Sequence, residues 1–439
     1  MIPRLKLLLP LLLLCLPVPL RAEDPPPQAD PERVRWTAEH SVPLRSIDPA
    51  DEDFADLMPL VGVIGRARVV QLGEATHGDG ATFLAKGRLI RFLHKVMGFD
   101  VLAWEAGFFD VGRMDAALRA GLPSAEAADR GLYRIWNVAE VMPALDYVRA
   151  SQGTERPIQS VGFDCRVSVA ESRTRLFPQS VFDFFDRLDP ALISKQERED
   201  LIRMSTGLVP AEYYAKPGRR DFNRELPRRL VETIDRRRAD LRVHDSEREI
   251  EILRQSLVSF LAMDRALGPG DAKPFASGYT RDQAMAENLL WWLNGPLKDR
   301  KVIVWAHNYH VMNAAFSADE SGPAPTKTAG PMGRFLKAEL GADLYTIGFT
   351  SFGGSIRDFD TGEPVPVKTE AASLEALLHL AGRPSLFLDL SRLPADHWLR
   401  SPWLGSFYMY GPIESTWPRS YDGLVFLDQQ RPSTPLPSK

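Results

Sequence analysis

Several ionisable residues of this chain stand directly behind short apolar runs. Glu74 and His77 lie in Gly73-Glu74-Ala75-Thr76-His77-Gly78 after ARVVQL, and Glu105 follows FDVLAW. Asp164 follows IQSVGF, and His307 follows KVIVWA with His310 three residues further on. A carboxylate three residues before an imidazole can hold it in one tautomer and raise its basicity, which is the arrangement of a general base. Carboxylates and imidazoles at a buried edge are costly unless paired, so their convergence would make a working polar site.

The same residues admit other chemistry. Glu74, His77, Glu105, His307 and His310 are all donors suited to zinc or iron, and E-x-x-H with H-x-x-H is ligand-like spacing, so a metallohydrolase is one alternative. An exported haem- or metal-binding protein without catalysis, using the histidines as axial ligands, is another. The chain contains no G-x-S-x-G, no G-x-x-x-x-G-K-[ST], no H-E-x-x-H, and no G-x-G-x-x-G after its first apolar run, which argues against the usual serine hydrolases, P-loop enzymes and zincins. Cys165 reads as a buried structural thiol.

The elements that must position these residues follow from the hydropathy pattern. Seven short runs read as strands: the four above, LYTIGF, SLFLDL at 385–390 and GLVFL before Asp428. Each is nearly continuous in apolar residues, the mark of a sheet covered on both faces. Amphipathic segments alternate with them. Residues 80–97 put Phe83, Leu89, Ile90, Leu93 and Val96 near one face and end at Gly98. The alternation predicts an α/β fold, a mostly parallel central sheet flanked by helices, with ligands expected beyond the carboxyl ends of the strands. Asp79 or Gly80 opens the 80–97 helix, whose N-terminus would aim partial positive charge at a developing oxyanion. Gly78 and Gly80 would let substrate approach the backbone. Lys86 is within reach of the site and Arg88 beyond it. A large helical insertion is expected between the third and fourth core strands.

The domain reading is a signal peptide over 1–22, a proline-rich lead-in over 23–44, the first part of the catalytic core over 45–167, and the helical insertion over 168–298. The second part of the core spans 299–428 with a Gly/Pro/Ala-rich lid loop at 317–331, and 429–439 form a flexible tail. The leader has Arg4 and Lys6 before fourteen apolar residues broken by Pro10, Pro17 and Pro19. That is shorter than the roughly 20 residues of a membrane span, so the segment predicts cleavage and export, periplasmic or secreted. The 439 residues carry 54 basic and 58 acidic side chains, a net charge of −4, which provides no basic field for nucleic acid. Removing 1–22 takes away Arg4, Lys6, Arg21 and Cys15 and leaves Cys165 as the single cysteine, so no internal disulfide is expected.

The segments GEATHG at 73–78, GFDVLAWE at 98–105, GFD at 162–164, RDQAMAENL at 281–289 and WAHNYH at 305–310, with the helix carrying Lys86 and Leu89, together resemble the erythromycin esterase family. The resemblance runs in order from about residue 45 to 430 and implies an α/β core with a helical insertion and a hydrolase that opens ester or lactone bonds with no required cofactor. It implies His77 as general base with Glu74 beside it, and Glu105, Arg281, His307 and His310 as the remaining catalytic positions. Lys86 matches a basic position of the family, and Lys86, Asp164 and Asn308 are read as substrate-binding. The expected partner is a small-molecule ester or lactone, with no nucleic acid, no metal, and no membrane after signal cleavage.

Overall fold

The computed structural model describes residues 30–207, 225–267, 280–315 and 330–437. Its strands are β1 (Val42–Pro43), β2 (Val69–Leu72), β3 (Val101–Gly107), β4 (Gln159–Asp164), β5 (Val302–Trp305), β6 (Leu344–Arg357), β7 (Pro364–Pro366), β8 (Ser385–Asp389), β9 (Trp403–Tyr408), β10 (Gly411–Ser415) and β11 (Gly423–Gln430). The seven apolar runs are β2 to β6, β8 and β11. One nine-stranded sheet runs β1-β8-β11-β6-β2-β5-β3-β4, with β7 on β6. The six strands from β11 to β4 are parallel, and β8 and β1 close one edge antiparallel. β9 and β10 form a separate hairpin.

Period-two alternation divides the strand residues between two cores. Val70, Leu72, Leu102, Trp104, Ile303 and Trp305 face a layer built on the helix Gly80–Met97, where Phe83, Leu89, Ile90 and Leu93 are buried. Trp104 and Trp305 stack at 4.9 Å in its centre. Val69, Val101, Ala103, Val302 and Val304 face the opposite layer, with Met285, Leu289 and Leu293 of the helix Arg281–Asn294. The helix Gly80–Met97 stops at Gly98, whose left-handed φ of 77° lets its N–H return to Leu93 O. Val96 in the last turn is 41 % exposed, off the buried face expected for it.

Three expectations about organisation need revision. The lead-in is not all extended, because Asp30 accepts from Glu32 N at 2.9 Å and Pro31 opens a helix, Pro31–His40, followed by β1 on the sheet edge. An Asp cap with proline in the first turn is a helix start despite the local proline content. Helices Phe177–Leu188, Lys195–Gly207, Glu225–Arg236 and Glu247–Leu267 lie between β4 and β5 and share a third core around Phe177, Phe185, Leu230 and Leu257. The helix Arg281–Asn294, placed with them by the boundary at 298, bridges them to the sheet: Ala284 joins the third core, and Asn288 donates to Ser259 Oγ and accepts from Gln255 Nε2. The helix lies on the sheet, where Trp292 Nε1 donates to Gly162 O at 3.0 Å and Asn288 Nδ2 to Phe163 O at 3.0 Å. The lid loop lies outside the described residues apart from Gly330 and Pro331.

The segment after 428 is not a free tail. β11 continues to Gln430, whose buried amide meets six groups: Oε1 accepts from Ala81 N (2.8 Å), Arg431 N (3.1 Å) and Thr82 N (3.3 Å), and Nε2 faces Thr82 Oγ1, Ser351 Oγ and Tyr410 OH at 3.0 to 3.2 Å. Beyond it, Ser433 N donates to Gly78 O at 2.9 Å and Ala139 N to Thr434 O at 2.8 Å. A buried amide that satisfies this many groups anchors a chain end however proline-rich its sequence. Gln430→Ala should therefore lower stability by about 2 to 4 kcal/mol, read from urea denaturation midpoints. A variant as stable as the wild type would remove Gln430 from this role.

Candidate active site

The strand β2 ends in a tight turn that carries Glu74 and His77. Asp79 Oδ2 closes it by accepting from Ala75 N and Thr76 N at 3.0 and 3.1 Å. Within the turn, Glu74 Oε1 receives His77 Nδ1 at 2.7 Å and Trp136 Nε1 at 2.9 Å, and Oε2 receives Lys86 Nζ at 2.7 Å. Glu74 has no exposure. Burial by itself would raise its pKa, but the Lys86 charge and the His77 and Lys86 hydrogen bonds outweigh burial and hold it at about 2. Lys86 is also fully buried, its Nζ 4.0 Å from the Trp305 ring centre, and burial draws it down to about 8 against the pull of Glu74.

A second cluster joins the ends of β3, β4 and β5. The register shifts between Trp104 and Gly107, an irregularity at Glu105 that re-aims a side chain next to a site. Arg281 reaches Asp164 through Nε (3.1 Å) and Nη2 (2.7 Å), and Glu105 Oε1 through Nη2 (2.9 Å). Asp164 also accepts from Tyr133 OH at 2.7 Å and Arg166 Nε at 3.1 Å. Burial opposes ionisation of both carboxylates, but His310 and Arg281 hold Glu105, and Arg166 and Arg281 hold Asp164, well below the usual carboxylate range. His310 Nδ1 meets Asp282 Oδ1 at 2.7 Å, and its Nε2 lies 3.2 Å from Glu105 Oε1 and 3.1 Å from Arg281 Nη1.

Burial would weaken His310 as a base, but Asp282 and Glu105 outweigh it and raise its pKa from 6.5 to about 9. The Arg281 contact, a donor facing a donor in the charged form, opposes this without reversing it. Stability from a group raised in the folded state is complete below its unfolded pKa and is lost as pH climbs through the folded value. The wild type should therefore lose on the order of 2 kcal/mol relative to His310→Gln between pH 6.5 and 9. Urea titrations of both proteins at the two pH values check this. Lys86 works in the opposite sense above about 8, but it does so in both proteins. Parallel curves would contradict a charged His310.

The geometry separates the three histidines. His307 Nε2 donates to Ala75 O at 2.8 Å, its Nδ1 accepts from Tyr309 N at 3.1 Å, and its backbone N donates to Glu105 Oε2 at 3.0 Å. It caps the short helix Asn308–Val311 as a neutral ring, with a pKa lowered to about 3 by burial and by the neighbouring His77 and His310. With both ring nitrogens spent on backbone, it has no nitrogen left to meet substrate at the catalytic position expected of it. Of the six ring nitrogens, His77 Nε2 alone has no partner among the described residues, and the His77 side chain is 19 % exposed in a cavity of about 1080 Å³. His77 stands 5.3 Å from the His307 ring and 5.2 Å from Trp136.

The three expected substrate-binding residues are occupied elsewhere. Lys86 and Asp164 are fully buried on their ion pairs. Asn308 is fully buried too, its amide donating to Phe349 O (2.7 Å) and Phe407 O (2.8 Å) and accepting from Phe349 N (3.1 Å), which ties β5 to β6 and β9. The motif glycines also serve packing. A Cβ on Gly73 would strike the Asn308 side chain, one on Gly78 the Arg357 backbone, and one on Gly80 Pro432 O at 2.7 Å. The helix N-terminus offers no oxyanion donors, because Gly80 N bonds Arg431 O, Ala81 N and Thr82 N bond Gln430, and Phe83 N bonds Asp79 O. Cys165 is a buried free thiol 3.6 Å from Met263 Sδ.

Residues absent from the sequence reading complete the site: Trp136 and Tyr133 on a loop far from the motifs, Asp282 beside Arg281, and Arg166 two residues after Asp164. The last two were legible as charged neighbours of site residues. Trp136 carried no signal beyond the need of a buried indole N–H for an acceptor. A zinc, iron or haem centre does not fit these donors. Both Glu74 oxygens and all nitrogens of His307 and His310 face protein groups, and among the described residues no three His, Cys, Asp or Glu side chains converge to hold a metal.

Among known proteins, "Putative hydrolase YbfO" of Bacillus subtilis is 26% identical over 430 residues, covering 91% of each chain. "Erythromycin esterase type II" of Escherichia coli is 24% identical over 434 residues, 90% of this chain and 97% of that one. The solved structure of an erythromycin esterase mutant in its open conformation shares the fold with a TM-score of 0.64 at 18% identity over 88% of this chain and 96% of that one. A Bacillus cereus crystal structure superposes with a TM-score of 0.75 at 21% identity, over 92% and 99%. The family model for erythromycin esterase matches residues 94–430, and with that match the chain belongs to the erythromycin esterase family of hydrolases.

Proposed function

We propose that the protein hydrolyses a carboxylic ester or lactone through water activated by His77. The observation that carries this reading is the free Nε2 of His77, opposite an Nδ1 bound to the ionised Glu74. A carboxylate on Nδ1–H leaves the lone pair on Nε2, which faces the cavity. There Nε2 takes a proton from water as the oxygen attacks the carbonyl carbon. Arg281 and His310, each paired with buried carboxylates, line the same cavity and face the resulting oxyanion. Collapse breaks the acyl C–O bond, and the imidazolium returns its proton to the departing alkoxide, so ester and water become acid and alcohol. Trp136 and Lys86 keep Glu74 ionised and fixed, and His307 ties the Ala75 carbonyl to the Glu105 carboxylate.

The test is incubation with a panel of p-nitrophenyl esters, simple lactones and macrolides, followed by mass spectrometry. The name of the Escherichia coli relative is the reason for including macrolides. The expected product is heavier than the lactone by one water, or is the free acid and alcohol of an open ester. Turnover of none of these classes would overturn the ester or lactone assignment.

A further inference from the structure

The chain is acidic overall, with a net charge of −4, yet the wall of the His77 cavity is basic. Arg134, Arg166, Arg173, Arg281 and Arg357 line it, against Glu105, Asp129 and Glu171. Glu105 is taken by Arg281 and His310, and Glu171 by Arg175. Among the described residues, Arg134, Arg173 and Arg357 have no carboxylate within ion-pair distance.

Two of these three are nonetheless held in place. Arg173 Nη1 donates to the carbonyls of Val167 (3.2 Å) and Ser168 (3.0 Å), and Arg357 Nε donates to Ser433 Oγ at 3.2 Å. Neutral acceptors orient a guanidinium without cancelling its charge. Fixed, unneutralised arginines in a concave wall repel one another and focus a positive potential, and an oxyanion ligand relieves that repulsion with charge-assisted hydrogen bonds. Arg357 and Arg134 stand near the base through their backbone, and Arg173 shares the cavity wall with it. Arg357 N donates to Gly78 O at 3.2 Å, next to His77, and Arg134 begins the short turn that ends in Trp136, the His77 and Glu74 neighbour. Beside His77, Phe359 is 41 % exposed and lies 6.2 Å from the imidazole, an apolar surface for the rest of a substrate.

We propose that the substrate of this cavity carries, besides the ester, a carboxylate or phosphate group that Arg173 and Arg357 receive. The inference rests on the hydrolase reading for its ester and on the arginines for its anion, and the two can fail separately. The matched probes are p-nitrophenyl hydrogen adipate and p-nitrophenyl hexanoate, equal in acyl length and differing in a terminal carboxylate.

The adipate ester should have a kcat/KM about tenfold higher at about 50 mM salt, and the preference should shrink at about 0.5 M. Arg173→Gln and Arg357→Gln should each reduce that ratio about five- to tenfold, and Arg173→Lys and Arg357→Lys, which keep the charge, should retain most of it. Equal kcat/KM for the two esters, or a ratio untouched by both glutamine variants, would overturn the anion subsite. If neither ester is turned over, the hydrolase reading fails for them and calorimetric binding of adipate and of inorganic phosphate decides the subsite. Binding weakened about tenfold in both glutamine variants upholds it, with the tighter of the two ligands identifying the anion class. Absent binding, or binding equal to wild type in both variants, refutes it.

Discussion

Replacing His77 by alanine should lower kcat by about 10²- to 10⁴-fold on whichever ester or lactone the wild type turns over. The expected size follows from the singularity of the residue. The other two imidazoles of the site have both ring nitrogens committed, so no neighbour can take over the proton. Because His77 is partly exposed and its loss leaves Glu74 still bonded to Lys86 and Trp136, the variant should fold with a thermal midpoint close to wild type. That combination, lost turnover with retained stability, separates a catalytic base from a structural residue. Glu74→Gln should behave differently, because it also strips a buried Lys86 of its counter-charge. Its deficit in stability should be present at neutral pH and disappear as pH falls from 4.5 toward 2, where the wild-type carboxylate itself protonates. Wild-type turnover in His77→Ala would end the general-base assignment.

The second large effect is expected at Arg281. Its guanidinium neutralises Asp164 and Glu105, both buried, in one bidentate and one single contact. Arg281→Met leaves two carboxylates in a low-dielectric site with Arg166 and His310 as remaining cations, and breaking a buried pair from one side costs about 3 to 5 kcal/mol. The sign of the pH dependence follows. In the wild type both carboxylates are depressed, so their contribution is present above the ordinary carboxylate range and fades below it. In the variant they bind protons more readily, so the gap between the two proteins should be largest near neutrality and narrow on acidification. Urea denaturation at neutral and acid pH measures it, and equal stability at neutral pH would show that Arg281 does not hold the cluster together.

Much of this cluster is legible in the sequence. Four parallel strands each hand an ionisable group to the same sheet edge, and that regularity follows from strand direction alone: Glu74, Glu105, Asp164 and His307 all emerge at carboxyl ends. The pairing of Glu74 with His77 was equally local, since three residues of spacing on a turn bring the two side chains together. What misled was the treatment of each polar group as available. Lys86, Asp164, Asn308 and His307 are chemically able to meet a substrate, but apart from Arg166 and Tyr309, two residues on, the partners that satisfy them stand 12 to 232 positions away. Spacing cannot reveal such partners. The tail was misread for a related reason, because proline content describes local backbone preference and says nothing of Gln430, a single amide buried among six groups.

By itself the sequence determined the α/β class, the strand ends that hold the ionisable residues, the family, and the Glu74–His77 unit, because these depend on periodicity and short spacing, which are properties of neighbours along the chain. Only the tertiary structure decided which of the polar groups is free to act. Hydrogen-bond satisfaction is a property of neighbours in space. Ala75, Tyr309, Asp282 and Glu105 occupy the nitrogens of His307 and His310, and residues 430 and 431 occupy the N-terminus of the helix after the motif. What remains open to the cavity is one nitrogen of His77, in a wall that also holds Arg134, Arg173 and Arg357, which have no carboxylate within ion-pair distance among the described residues.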